Sequence, residues 1–309
     1  MSGPRAALIP GGRLHLQHGP IDLIIGAEGA NGARAAAFAA ARARFATLLE
    51  ELVGELPALR RPAGTQAFTG ATARRMAAAV APFGGVFVTP MAAVAGAVAE
   101  EVLAAMVAAT VLVRAWVNNG GDIALHSGQA APGSHRAGFS VAIAATDASP
   151  LGTIAIPPES GVRGIATSGA GGRSLSLGIA DSVTVLARSA AAADAAATLI
   201  ANAVDLPGHA AIARTPACHL QPDSDLGARP VVTAVGRLTA AEIGAALDSG
   251  AACAQHMRAR GLIHSAALFL RGRHRLSGPL PLARHPTSAP TSAPMCAPAS
   301  TPARKAEHA

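Results

Sequence analysis

The sequence predicts an α+β fold, a largely antiparallel sheet flanked by helices, and three observations carry that prediction. Short strand-like runs follow one another across turn residues in hairpin order, without the regular strand–helix alternation of a parallel sheet. Helical apolar spacing stands before and after that strand-rich middle. Alanine dominates the apolar half of a 309-residue chain whose aromatic content is 3%, so helices and strands are expected to approach each other closely.

Arg13–Gln17 and Ile21–Ile25 read as two strands around His18–Gly19–Pro20. Over 31–56, Phe38, Phe45, Leu48, Leu49 and Leu52 recur at helical spacing and predict an amphipathic helix. A short helix is expected near Ala73–Val80. A buried one follows over Ala92–Ala109, apolar on both faces apart from Glu100 and Glu101. Val111–Val117 and Ile123–His126 flank the turn residues Asn118–Asn119–Gly120–Gly121–Asp122, and further strands are predicted at Phe139–Ala145, Gly152–Ile156 and Ser182–Ala187. Ala190–Val204 is an alanine helix, and after a polar loop Val231–Val235 is a strand. Thr239 with Glu242 forms a capping-box pair opening a last helix, Gly261 stands at its C′ position, and Ile263–Leu270 is the final strand. Residues 1–275 make one domain. The Pro/Ala/Ser/Thr-rich stretch 276–309 cannot bury enough surface to offset the entropy of ordering, which predicts a disordered tail.

The net charge is +7, but four of those charges lie at or beyond Arg273, and basic clusters interleaved with aromatics are absent. That pattern argues against a nucleic-acid partner. Cys218, Cys253 and Cys296 are far apart, with neither metal nor CxxC spacing. A reducing, cytoplasmic location is the expectation. No membrane span is expected either: Pro82, Gly84, Gly85 and Pro90 interrupt the uncharged stretch 76–99, and Val102–Val113 is short and bracketed by Glu101 and Arg114.

Three stretches carry candidate chemistry. The Asn118–Asp122 turn is either a tight hairpin or a glycine corner that a ligand approaches, with Asn119 or Asp122 bonding it. Gly164–Ser174 holds four glycines, three hydroxyl residues and Arg173, and reads equally as a surface loop or an anion nest without the P-loop signature. On the alanine helix, Asp194, Thr198 and Asn202 fall at i, i+4 and i+8, with Asp205 returning to nearly the same azimuth. Such a stripe ordinarily faces solvent. Here it consists of short oxygen donors, a set suited to a hard cation such as Mg²⁺. The histidines are scattered without zinc spacing, and neither a nucleophile elbow nor a Rossmann glycine fingerprint occurs.

In this order, the three stretches resemble the ApbE superfamily of FAD:protein FMN transferases, from about Arg13 to Leu270, in particular an uncharacterised cytoplasmic branch. The likeness rests on Pro90–Gly96, the Asn-Asn-Gly-Gly-Asp turn, Thr167–Ser168–Gly169, Gly178–Asp181 and Ala193–Thr198. It implies an ApbE-like fold and FAD as substrate or ligand. Asn119, Gly120, Gly121, Asp122, Thr167, Ser168 and Gly169 would line that site. Mg²⁺ would be held by Asp194, the Ala197 carbonyl and Thr198, with a further carbonyl near Val94 or Ala95. Asp122 or Asp181 would act as base or orienting group.

Two departures matter. Ala95–Gly96 stands where the transferases carry Lys-Gly, and their His and Asp-Pro after Thr-Ser-Gly are gone. The resemblance therefore implies either Mg²⁺-dependent FMN transfer or FAD pyrophosphate cleavage, or else a non-transferase module for a flavin or pterin-like heterocycle. The acceptor protein is unidentified, and a homo-oligomer is compatible with the small-residue helices.

Overall fold

A computed structural model describes residues 3–128, 138–144, 150–172, 174–280 and 282–283. Arg173, Ala145 and positions 284–309, which include most of the expected tail, lie outside the described residues.

The chain opens with β1 (Arg5–Ile9), β2 (Arg13–His18) and β3 (Ile21–Gly29), then α1 (Ala33–Leu59) and α2 (Ala71–Val80). A 3-10 turn at Pro90–Ala93 leads into α3 (Val94–Ala109). The strands β4 (Leu112–Asn119), β5 (Asp122–Ser127), β6 (Phe139–Ala144), β7 (Pro150–Ile156), β8 (Gly164–Ser168) and β9 (Ser182–Ala187) follow. The last part holds α4 (Ala190–Ala203), β10 (Ile212–Pro216), α5 (Ala217–Leu220), β11 (Pro230–Val235) and α6 (Ala240–Ala259). It closes with β12 (Ser265–Leu270), β13 (Arg273–Ser277) and β14 (Leu282–Ala283).

Nine strands form one sheet in the order β1-β2-β3-β4-β5-β8-β9-β12-β13, and every neighbouring pair is antiparallel. The predicted α+β architecture is therefore the observed one. Alternation along the strands sends Ala124, Ala166, Val183 and Val185 into the main core with α1, α3, α4 and α6. Leu125, Ile165 and Leu186 face the other way, against Ile154 and Ile156 of the small sheet β14-β7-β6.

Several expectations change. Gly164–Ser168 is a central strand rather than loop. Helix α1 runs to Leu59 with Pro57 inside it, because the carbonyl that loses its N–H partner belongs to Val53, whose residue is exposed. Ordered chain continues past 275, with Ser277 pairing Ala266 and Leu282 pairing Ile154. The capping box at Thr239 and Glu242 is present. At the other end of α6, Leu262 donates to Met257 and Gly261 to Arg258, as a Schellman motif requires. Pro90–Ala109 is apolar and long enough to cross a bilayer by composition, with half of its 18-residue window buried in the fold. Its Ala97, Val98, Ala99 and Val102 are core residues.

The packing centre is the crossing of α3 and α4. The Asp194 carboxylate on α4 accepts the Gly96 N–H in the first turn of α3 at 3.0 Å. Conversely, the Glu100 carboxylate on α3 accepts the Ala191 N–H in the first turn of α4 at 2.8 Å. Each helix thus satisfies an orphan donor of the other with a carboxyl oxygen placed at its positive end. Arg75 and Arg44 extend the network, donating to Glu101 at 2.8 and 2.9 Å. Burial by itself would raise Glu101, but the hydrogen bonds from Arg75 and Arg44 prevail and hold its carboxyl below the usual range.

This crossing needs backbone against backbone. A Cβ at Gly96 would lie 2.3 Å from the Ala190 carbonyl oxygen, and one at Gly164 would lie 2.2 Å from the Ala190 nitrogen. Gly96→Ala should therefore lower unfolding stability by about 1–3 kcal/mol. Gly54→Ala, on the exposed face of α1 with nothing near the added methyl, should raise it by about 0.5–1 kcal/mol. Urea unfolding curves of the two variants check both signs.

Candidate functional site

Beside this crossing opens a cleft of about 560 Å³, walled by the β4–β5 turn, the end of β8 with residues 169–177, the outer stripe of α4, and segments 87–95 and 221–226. The turn is the hairpin its residues predict: Asn119 pairs with Asp122 across Gly120 and Gly121, whose φ values are 65° and 114°. Asn118 Oδ1 accepts the Gly121 N–H at 2.8 Å, closing the corner. The buried Asn119 donates Nδ2 to the Ala95 carbonyl at 3.1 Å and so ties the corner to the start of α3. Asp122, also buried, accepts the Thr167 N–H at 3.2 Å. Thr167 Oγ1 lies 2.9 Å from Thr184 Oγ1, which fixes the end of β8.

Asp194, Thr198 and Asn202 all line the cleft, so the α4 stripe faces inward and not toward bulk solvent. Helix geometry explains the common face, and packing of α4 against β8, β9, α3 and α6 explains its direction. Asp205 does not join the stripe. The helix ends at Ala203, the chain turns away at Val204 with ψ 87°, and Asp205 pairs with Arg214. Asn202 accepts the Leu177 N–H at 3.1 Å and positions the loop opposite.

Of the other expected site residues, Asn119, Gly120, Asp122, Thr167, Ser168 and Gly169 reach the cleft. Gly121 sits at the turn without lining it. Ala197 is fully buried under α4, apart from the cleft lining. Asp181, expected as a catalytic group, belongs elsewhere: its carboxylate accepts the Arg271 N–H at the β12–β13 turn, where Arg271 has φ 49°. It holds a strained hairpin in place and does not line the cleft.

The wall that spacing did not reveal is formed by Phe87, Thr89 and Gln221–Leu226. Thr89 donates to Asp225, Arg60 holds Asp223 at 2.9 Å, and the Arg229 guanidinium sits over the Phe87 ring. The dense polar run Gln221–Pro222–Asp223–Ser224–Asp225 was the available signal in the sequence, but its partner Thr89 is 136 residues away.

Electrostatically the cleft is one-sided. Asp122, Asp194 and Asp225 line it, and no Lys, Arg or His does among the described residues. Burial, then the charge of Asp122, push the Asp194 carboxyl well above the ordinary carboxylate range, against backbone hydrogen bonds from Gly96 and Ala95 that favour its ionised form. Its donors are oxygens throughout, and no group of three His, Cys, Asp or Glu side chains forms a closed metal cage among the described residues. A hard cation that keeps several waters fits such a set; a tetrahedral zinc site does not.

Residues 5–276 match the model of the family described as AbpE bacteria. The chain belongs to this ApbE-like family. Among curated relatives, the UPF0280 protein of Methanopyrus kandleri is 44% identical over 132 residues, 42% of this chain and 48% of that protein. The UPF0280 protein of Methanothrix thermoacetophila is 43% identical over 120 residues, 38% and 46% of the two chains. The chain spans about half the length of the curated relatives it matches. Among solved structures, the apo form of the Pseudomonas stutzeri flavinyl transferase ApbE is similar with a TM-score of 0.46 and 13% identity, over 89% of this chain and 93% of that one.

A carboxyl whose folded pKa is raised stabilises the fold most below its unfolded pKa and loses that contribution as pH rises through the folded value. In EDTA, Asp194→Asn, which keeps an acceptor for Gly96 while removing the charge, should melt about 2–4 °C above wild type near pH 8. The gap should shrink toward zero near pH 4. Scanning calorimetry across that range checks it, and a constant offset at all pH values would refute the electrostatic origin.

Proposed function

We propose that this ApbE-like chain binds a flavin nucleotide in the acidic cleft together with Mg²⁺, and acts on the pyrophosphate of FAD, by FMN transfer or by cleavage to FMN and AMP. The observation that carries this reading is the charge of the described lining: three aspartates and no Lys, Arg or His, with Asp194 held against ionisation by burial and then by Asp122. A diphosphate cannot enter such a site without a cation of its own. Asp194 and Thr198 are the side chains that would hold it, and the Ala95 carbonyl, fixed by Asn119, is the nearest backbone candidate. Ala197, buried and away from the cleft lining, is a weaker one. When bound, the cation neutralises charge developing on the departing phosphate.

The chain's own groups supply the rest. Gly120 lets the ligand approach backbone, Gly169 stays small because the Asp181 carbonyl occupies the place of a side chain, and Ser168 offers its hydroxyl. Asp122, oriented by the Thr167 N–H, accepts the proton of an attacking hydroxyl or water. The oxygen then bonds to the FMN-side phosphorus while the bridging P–O bond breaks and AMP leaves. Asp181 has no part in this scheme.

A second reading, a non-transferase module for a flavin or pterin-like heterocycle, is favoured by one specific feature. With the Asp181 carboxylate held by the Arg271 N–H and Ala95 in place of a lysine, Asp122 is the carboxylate beside the glycine corner among the described residues that is left to serve as base.

Incubation of the purified protein with FAD, in Mg²⁺ or in EDTA, followed by chromatography, separates the readings. AMP and FMN appearing with Mg²⁺ alone, with turnover falling at least about 100-fold in Asp194→Ala, is the result expected for an enzyme. Retained FAD without AMP supports the module. Flavins binding no better than other adenine nucleotides would overturn both.

A further inference from the structure

A second concave surface, of about 300 Å³, shares no lining residue with the first. It lies beyond Glu100 at the start of α4, with Leu103 and Val107 of α3 on one side and Arg75, Arg163 and Arg188 around it. We propose that this cleft binds a small organic phosphate, its anionic end between Arg163 and Arg188 and its apolar part on Leu103 and Val107.

The argument starts from strand register. Gly164 of β8 pairs with Ala187 of β9, and the Arg163 N–H bonds the Ala187 carbonyl at 3.0 Å, so the ladder brings Arg163 and Arg188 to the same end of neighbouring strands. Like charges facing across a ladder are destabilising unless something lies between them. The cleft lining does include the Glu100 carboxylate, but that group is taken up by the Ala191 N–H and by Arg75, and among the described residues neither Arg163 nor Arg188 forms an ion pair. Arg163 donates to the backbone carbonyls of Val162 and Pro158 at 2.7 and 3.3 Å, which orients its guanidinium without neutralising it. Arg188 has no hydrogen-bond partner among the described residues.

The other polar groups of the cleft are already engaged. Arg75 pairs with Glu100 at 3.4 Å and Glu101 at 2.8 Å. The His126 ring bonds the Leu112 carbonyl, and burial and then Arg163 lower its pKa. Two uncompensated guanidinium groups therefore remain at the positive end of α4, beside an aliphatic wall. A dianionic phosphate suits planar guanidinium donors, and the wall adds affinity for an apolar substituent.

Isothermal titration calorimetry at low ionic strength, with inorganic phosphate and phenyl phosphate as probes, tests the assignment. Saturable binding of both is expected, with phenyl phosphate about fivefold or more tighter because its ring covers Leu103 and Val107. The double variant Arg163→Gln, Arg188→Gln should weaken both probes at least about tenfold. Ala104→Glu, at an exposed lining position, should do the same by repulsion and decides the matter if the arginine variant misfolds. Asp194→Asn should leave both affinities unchanged.

No saturable binding below about 10 mM, or unaltered affinity in Ala104→Glu, would overturn the proposal. So would a clear change of affinity in Asp194→Asn, in either direction, which would move the anion to the first cleft. Equal affinity for the two probes would remove the aliphatic contact and with it the organic class of ligand. None of these outcomes depends on whether the protein acts on FAD.

Discussion

The arrangement of the protein rests on the exchange of carboxylates between α3 and α4. Each helix begins without enough internal acceptors for its first N–H groups, and each finds one on the other: Asp194 for Gly96, Glu100 for Ala191. The exchange works only if the two backbones nearly touch, which is why a glycine stands at 96 and why Ala190 and Ala191 open the opposing helix. It also explains how a carboxylate comes to sit on an otherwise alanine-rich helix, at the wall of the cleft. Asp194 is a helix cap contributed from another element, and its position is set by the packing whether or not a ligand is present.

The same exchange divides the surface into two chambers of opposite sign. On the Asp194 side, Asp122 and Asp225 add negative charge and no described lining residue balances it. On the Glu100 side, Arg163 and Arg188 exceed the available acid. The start of α3 lines the first chamber and the N-cap Ser189 of α4 the second, and only the first adds further aspartates. Backbone N–H donors and the α3 dipole favour ionised Asp194, while burial and the Asp122 charge oppose it; the raised carboxyl shows that the second pair prevails.

Much of this was legible in the sequence where one period or one turn decided the matter. The Asp194–Thr198–Asn202 stripe follows from 100° per residue, and the Gly120–Gly121 corner from residues that accept positive φ. Legibility failed where distant contacts overrode local signals. Gly164 reads as part of a flexible glycine run, but it is a strand residue kept small by the approach of Ser189 and Ala190. Asp205 was carried along the helical period past the point where the helix ends. Asp181 resembles a site residue by its neighbours in sequence, while the contact that employs it comes from Arg271, 90 positions later. Thr89 and Asp225 meet across an even longer separation and leave no local trace.

Charge balance bears directly on what the acidic chamber can admit. A diphosphate such as that of the proposed FAD would meet the charges of Asp122 and Asp225 at short range, in a partly dry site where screening is weak. Ala95 adds no charge to this wall, so the proposed nucleotide reading requires a divalent cation beside Asp194. A neutral heterocycle with N–H donors meets the opposite situation, because a carboxylate-lined wall attracts such donors without a cation. Dependence of binding on divalent cation therefore separates a pyrophosphate ligand from a bare ring on electrostatic grounds, before any product is sought.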